Sequence, residues 1–91
     1  MKTKSDTVHL VLRHKWYDMI DSGKKTEEYR AISTWRRRLG GNIKFVTFHR
    51  GYSSTTMTFE VQSINTGIGN PEWGAPKEKE VFIIKFGKRI N

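Results

Sequence analysis

The sequence contains no cysteine, only two prolines and no long apolar run. Without cysteine the chain has no disulfide, no thiolate nucleophile and no cysteine-ligated zinc site. The longest apolar stretch is Val81 to Ile84, whereas a membrane span needs about 20 such residues and a signal peptide needs about 7–15. These absences predict a cytoplasmic protein with neither a membrane segment nor an export signal.

Acidic residues are also scarce. Nine Asp and Glu stand against 17 Lys and Arg, which gives a net charge of +8, and no acid occurs from Arg30 to Phe59. Cations interleaved with flat rings are typical of domains that bind single-stranded nucleic acid. We therefore expect RNA or a nucleotide as the partner. The candidate binding residues are Lys25, Arg30, Arg36, Arg37, Arg38, Arg50 and Tyr52, the last as an exposed stacking ring in a turn.

A chain of 91 residues is long enough for one compact core and too short for two. Residues 1–7 are polar and lack periodicity, which predicts a disordered N-terminal arm, and residues 8–91 then form the single domain. Within it, the alternation at Val8, Leu10 and Leu12 predicts the first strand. The spacing of Trp16, Met19 and Ile20 predicts one face of a helix over Lys15 to Ser22, with Gly23 as its left-handed stop.

The remaining pattern is mainly that of strands. A strand is predicted from Thr26 to Arg30, followed by a short helical turn near Trp35 in which Ser33 is the N-cap. Further predicted strands are Ile43 to His49, Met57 to Val61 and Val81 to Phe86, the first two as a hairpin, with a long loop from Gly67 to Pro76. The fold class is therefore α+β, mainly β: a small mixed barrel of five strands with a helix after strand one and helices covering its openings. An open sandwich is the alternative.

The segment from Gly23 to Arg30 is dense in charge for a β element. Glu28 and Arg30 are two residues apart and so share one face of a strand, while Lys25 enters from the preceding turn. These three residues could form a pocket in which Lys25 and Arg30 meet phosphate or a base edge and Glu28 accepts an amine hydrogen or moves a proton. They are the candidate catalytic residues. The alternative is an ion pair on a solvated edge strand.

Other reactive side chains lack the setting that their chemistry requires. His9, His14 and His49 have no cysteine and no ligand spacing with a carboxylate, so we expect no metal. The hydroxyls of residues 53–56 have no nucleophile-elbow sequence around them, and Gly67-Ile68-Gly69 is not a phosphate loop. The sequence therefore predicts no cofactor.

The string Gly23-x-Lys25-x-x-Glu28-x-Arg30, after a strand and a helix, resembles the G-x-K-x-x-E-x-R motif of ASCH domains, named for activating signal cointegrator homology. The likeness extends from about Val8 to Gly87. It implies a PUA-like barrel of five or six strands with a charged cleft that receives RNA or a nucleotide. Lys25, Glu28 and Arg30 would line that cleft.

The resemblance leaves the activity open. Some bacterial members hydrolyse N4-acetylcytidine with a threonine at the position of Glu28, so the hydroxyl nucleophile is missing here. Another branch is associated with RNA cleavage, for which Lys, Glu and Arg are compatible as acid, base and phosphate clamp. Besides the favoured binding module, two alternatives therefore remain: a small RNA-processing hydrolase, and a protein-interaction module of transcription machinery. We expect a monomer.

Overall fold

The structure, a computed structural model, describes residues 6–91. The predicted arm falls on residues 1–5, which lie outside the described part, and on Asp6 and Thr7, of which Thr7 already begins the first strand and pairs with Phe45. The elements are β1 Thr7–Leu12, α1 His14–Asp21, β2 Glu27–Arg30, α2 Ile32–Leu39, β3 Phe45–Arg50, β4 Thr56–Ile68, a 3₁₀ turn at Pro71–Trp73, and β5 Glu80–Arg89.

The five strands form one sheet in the order β1-β3-β4-β5-β2. β1 and β3 are parallel, and the other three pairs are antiparallel. The sheet curls into a half-barrel, so its two edges are β1 and β2. This confirms a small α+β fold that is mainly strand, with five strands and the predicted hairpin of β3 and β4. Within residues 6–91, no helix has the length and apolarity to cross a membrane.

The core lies on one face of the curled sheet. Val8, Leu10 and Leu12 point inward from β1, as their alternation predicted, and all three are buried. The rings of Phe48, Phe59 and Phe86 meet beside them, with centroids 5.0 to 5.9 Å apart in tilted and edge-on pairs. Offset and edge-to-face contacts are the favourable geometries for aromatic rings.

The first helix packs on this core through a face that differs slightly from the predicted one. Tyr17 and Ile20 are its buried residues, while Trp16 and Met19 are only partly covered. The helix also starts one residue earlier than predicted, at His14. Gly23 has a φ of 85°, so the predicted left-handed stop is confirmed.

The predicted N-cap of the second helix is wrong. The helix begins at Ile32, so Ser33 is already in its first turn and its backbone is helical, whereas an N-cap residue needs an extended backbone. Ala31, with φ −63° and ψ 129°, takes that position and offers no side-chain cap. The short turn expected near Trp35 is thus a helix of eight residues that follows β2 directly.

β4 and β5 extend beyond their predicted ends. Gly67 and Ile68, expected in a loop, pair with Val81 and Glu80 of β5. The loop between them is therefore shorter and contains the 3₁₀ turn, at which the Asn70 side chain accepts a hydrogen bond from the backbone of Glu72 at 3.0 Å. This loop folds back over the end of β2.

Candidate functional site

Lys25, Glu28 and Arg30 meet in what we call the charged cluster. Glu28 Oε1 lies 3.2 Å from Lys25 Nζ, and Glu28 Oε2 lies 2.7 Å from Arg30 Nη2 and accepts a hydrogen bond from Arg30 Nε at 2.9 Å. One carboxylate therefore serves two cations. The alternative of a solvated surface pair is wrong, because the side chains of Lys25 and Glu28 are only 1% and 8% exposed.

Lys25 lies beneath a cover of aromatic rings and backbone. Its Nζ is 5.3 Å from the ring centroid of Trp16 and 4.8 Å from that of Tyr29, and it donates to the carbonyl oxygen of Trp73. Burial lowers the pKa of the Lys25 ammonium, and the neighbouring Glu28 carboxylate opposes this shift. Lys25, which enters from the turn before β2, is thus enclosed.

Two glycines allow the loop after β4 to come this close. A Cβ on Gly69 would lie 2.6 Å from Tyr29 Cε1 and 2.6 Å from the Ala75 Cβ, and a Cβ on Gly74 would lie 3.1 Å from the Trp16 ring. Gly74 also has a φ of 101°, which side chains rarely adopt. The close approach brings the Trp73 carbonyl within reach of Lys25.

Arg30 joins the two edges of the half-barrel. While its guanidinium binds Glu28, Nη2 also donates to the carbonyl of Val11 in β1 at 3.1 Å. Trp35 lies between two guanidinium groups, 5.2 Å from Arg30 Cζ and 4.6 Å from Arg38 Cζ. Arg38 in turn donates to the carbonyl of His9 at 3.4 Å. Arg30 and Arg38 therefore donate to carbonyl oxygens on the free edge of β1, and these hydrogen bonds restrict the rotation of both side chains.

Tyr29 lies on the other face of β2. Its hydroxyl donates to Glu27 Oε1 at 2.8 Å, and burial raises the pKa of Tyr29 to about 12. Glu27 also lies 3.8 Å from Lys85, in a pair that is half exposed on the lysine side. Both faces of this short strand are thus covered.

A cavity of about 400 Å³ adjoins the charged cluster, and we call it the Arg30 cavity. It is lined by residues 29–33 and Arg36 on one side, and by Gly74, Pro76 and residues 79–81 on the other. Its charged members are Arg30, Arg36, Lys79 and Glu80. Within residues 6–91, Arg36 and Lys79 are in no ion pair, so the positive charge of this cavity is only partly compensated.

The three consecutive arginines of α2 do not share one surface. Arg36 lines the Arg30 cavity, while Arg37 and Arg38 line a second cavity of about 480 Å³ together with Lys44. We call this second one the Lys44 cavity. A helix turns by about 100° per residue, so neighbouring side chains necessarily diverge.

Arg50 and Tyr52, also predicted to bind nucleic acid, line neither cavity. Arg50 is engaged by Asp18 through two contacts of 2.9 and 3.0 Å, which also raise the pKa of the guanidinium and lower that of the Asp18 carboxyl. Tyr52 is 99% exposed in the β3–β4 turn, as expected of a stacking ring. Nucleic-acid contacts by Arg50 and Tyr52 remain a prediction, at positions outside the two cavities.

Lys79 is a candidate that the sequence analysis did not single out. It lies in a segment of alternating charge, Lys77 to Glu80, which reads as an ordinary solvated loop. The pairing of β5 with β2 brings it into the same cavity as Arg30. Two of the histidines also meet, with His9 Nδ1 3.0 Å from His49 Nε2, but within residues 6–91 no group of three or more His, Cys, Asp or Glu could hold a metal.

Comparison with known proteins assigns nothing to this site. The chain matches no family model, no curated protein and no solved structure. The charged cluster and the Arg30 cavity are therefore the features that bear on function, and the likeness to ASCH domains stays a prediction.

Proposed function

We propose that this domain binds RNA or a nucleotide, and that a phosphate of the ligand occupies the Arg30 cavity. The observation that carries the proposal is the charge imbalance at this place. Lys25 and Arg30 share one carboxylate, and Arg36 and Lys79 add two unpaired cations against Glu80 alone. Arg36 and Lys79 are exposed to solvent and have no ion-pair partner among the described residues, so both are available to form charge-assisted hydrogen bonds to a bound anion.

Arg30 is well prepared to hold such an anion. Glu28 and the Val11 carbonyl fix its guanidinium through Nε and Nη2, and its side chain is 17% exposed. No described group accepts from Nη1, and Arg30 lines the cavity, so this nitrogen is the one left to donate to a ligand. A fixed guanidinium loses little entropy on binding, and arginine matches phosphate geometry well.

The size and walls of the cavity agree with a nucleotide. Its volume of about 400 Å³ falls in the usual range of about 300–1,000 Å³ for small-ligand sites. Ile32, Pro76 and Val81 give it apolar surface beside the cations. Apolar walls with a few fixed polar groups are the usual composition of a ligand site. The resemblance of the Gly23 to Arg30 motif to ASCH domains supports the same proposal.

A hydrolase using the same residues is the second candidate, and the lowered pKa of Lys25 beside Glu28 favours it. In this structure, however, the Lys25 amine is covered by Trp73, Trp16 and Tyr29. Turnover would require this cover to move, whereas binding at Arg30 would not. Mass spectrometry of nucleosides and RNA fragments before and after incubation with the pure protein separates the two candidates.

Fluorescence anisotropy of a labelled uridylate octamer tests the binding proposal. We expect Arg36→Ala and Lys79→Ala each to weaken binding about tenfold or more at low salt, since a hydrogen bond to a charged group contributes about 1.5–3 kcal/mol. Lys88→Ala is the matched control, because it removes one exposed cation that lines neither cavity. If all three variants lost the same affinity for the octamer, binding would reflect only general attraction to a basic protein, and this would contradict a phosphate site in the Arg30 cavity.

A further inference from the structure

Different faces of α2 line the two cavities: Ile32, Ser33 and Arg36 line the Arg30 cavity, and Arg37 and Arg38 line the Lys44 cavity. We infer that the ligand is a single strand of RNA that crosses α2, with one phosphate in the Arg30 cavity and a second in the Lys44 cavity. This inference rests on the proposed function and adds a second phosphate site to it. It also names a strand, rather than a free nucleotide, as the ligand.

The Lys44 cavity has more cations than carboxylates and can therefore attract an anion. Three cations line it, Arg37, Arg38 and Lys44, against the single carboxylate of Asp6. Arg38 is engaged at the His9 carbonyl and on the Trp35 ring. Arg37 and Lys44 are exposed and, within the described residues, are in no ion pair. Two cations are therefore available to an anion at this place.

The surface of α2 between the two cavities is also positively charged. α2 separates them, and its sequence ISTWRRRL contains no acid. A chain of phosphates passing over the helix would meet Arg36 and then Arg37, which are consecutive residues. The path therefore offers positive charge at both ends and no carboxylate of α2 between them.

The width of α2 sets the minimum length of a ligand that reaches both cavities. An α-helix with its side chains is about 10–12 Å across, which is too far for the phosphate of one mononucleotide to reach both cavities. A strand can bridge them, and small domains that bind single strands cover about 4 nucleotides or more. Affinity should therefore depend on ligand length in a way that one phosphate site alone does not predict.

The test compares UMP with uridylates of two, four and eight nucleotides on the same protein. We expect the tetramer to bind at least tenfold more tightly than UMP. Arg37→Ala and Lys44→Ala should weaken the octamer and leave UMP binding unchanged, whereas Lys79→Ala should weaken both. Lys88→Ala is again the control. Equal affinities for UMP and the octamer, or an octamer insensitive to Arg37→Ala, would overturn the second site.

Salt dependence gives a second readout of the number of contacts. Two neutralised phosphates, one in each cavity, predict a slope of about −1.4 for a single strand, which is about a sevenfold loss of affinity between 50 and 200 mM salt. The Arg37→Ala/Lys44→Ala variant should reduce this to about 2.6-fold, because each neutralised phosphate contributes about 0.7 to the slope. An unchanged slope would contradict the inference. If neither UMP nor any oligonucleotide binds, the proposed function itself fails; if UMP binds with no gain in longer ligands, only the second site fails.

Discussion

Replacing Glu28 with glutamine removes the carboxylate that Lys25 and Arg30 share. The amide keeps the shape of the side chain, but both cations lose their counter-charge at 3.2 and 2.7 Å. Removing one member of a buried pair costs about 3–5 kcal/mol, because the remaining charge stays buried and unpaired. Arg30 keeps the Val11 carbonyl and some exposure, so we expect the lower end of that range, about 3 kcal/mol.

Urea unfolding followed by tryptophan fluorescence measures this loss. For a domain of this size, about 3 kcal/mol corresponds to a fall in Tm of about 12–24 °C. Lys25→Met should cost less than Glu28→Gln, because the Glu28 carboxylate keeps Arg30 as its counter-charge. The Trp73 carbonyl loses its donor and Glu28 Oε1 loses its contact with Lys25, but no buried cation is left unpaired.

Glu27→Gln is the matched control, one residue away in the same strand. Its partner Lys85 is half exposed at 3.8 Å, and the glutamine oxygen can still accept from the Tyr29 hydroxyl. We expect a loss below about 1 kcal/mol, as for exposed pairs. If Glu28→Gln were no more destabilising than Glu27→Gln, the charged cluster would not be the buried unit described above.

Three further outcomes are expected. Gly69→Ala should destabilise the fold by about 1–3 kcal/mol in urea unfolding, because its Cβ would meet Tyr29 at 2.6 Å, whereas Gly41→Ala, with open space around it, should not. The pKa of Tyr29 is raised to about 12 in the folded state, so the unfolded chain releases that proton at lower pH. The free energy of unfolding should therefore fall between pH 9 and 11 by about 1.4 kcal/mol more in the wild-type protein than in Tyr29→Phe. Equal losses in the two proteins would refute this. Tyr52→Ala should leave Tm unchanged and weaken octamer binding by about 1–3 kcal/mol if the ring stacks on a base.

Local patterns in the sequence predicted most of the elements. Alternation at Val8, Leu10 and Leu12 identified β1, because a half-buried strand needs this period. The ends of β4 were missed because Gly67 is strand only through its pairing with Val81, fourteen residues away. The Ser33 cap failed for a related reason: β2 leads directly into α2, and Ala31 already has the extended backbone.

The candidate site was predictable where its residues are neighbours in sequence. Glu28 and Arg30 share a strand face, so their contact followed from the period of two. The burial of Lys25 did not follow, since its cover comes from Trp73, 48 residues away. The Asp18 partner of Arg50 is 32 residues distant, and the position of Lys79 beside Arg30 depends on sheet pairing. Such long-range contacts leave no local signal.

The proposed function places a phosphate of the ligand in the Arg30 cavity. An NMR titration of ¹⁵N-labelled protein with the uridylate octamer locates the ligand by following backbone amides and arginine Nε–Hε signals. We expect shift changes at residues 29–36 and 74–81, including the Arg30 side chain, and their loss in the Arg36→Ala/Lys79→Ala variant. Binding that shifts only signals outside these two segments, or no binding at low salt, would contradict it.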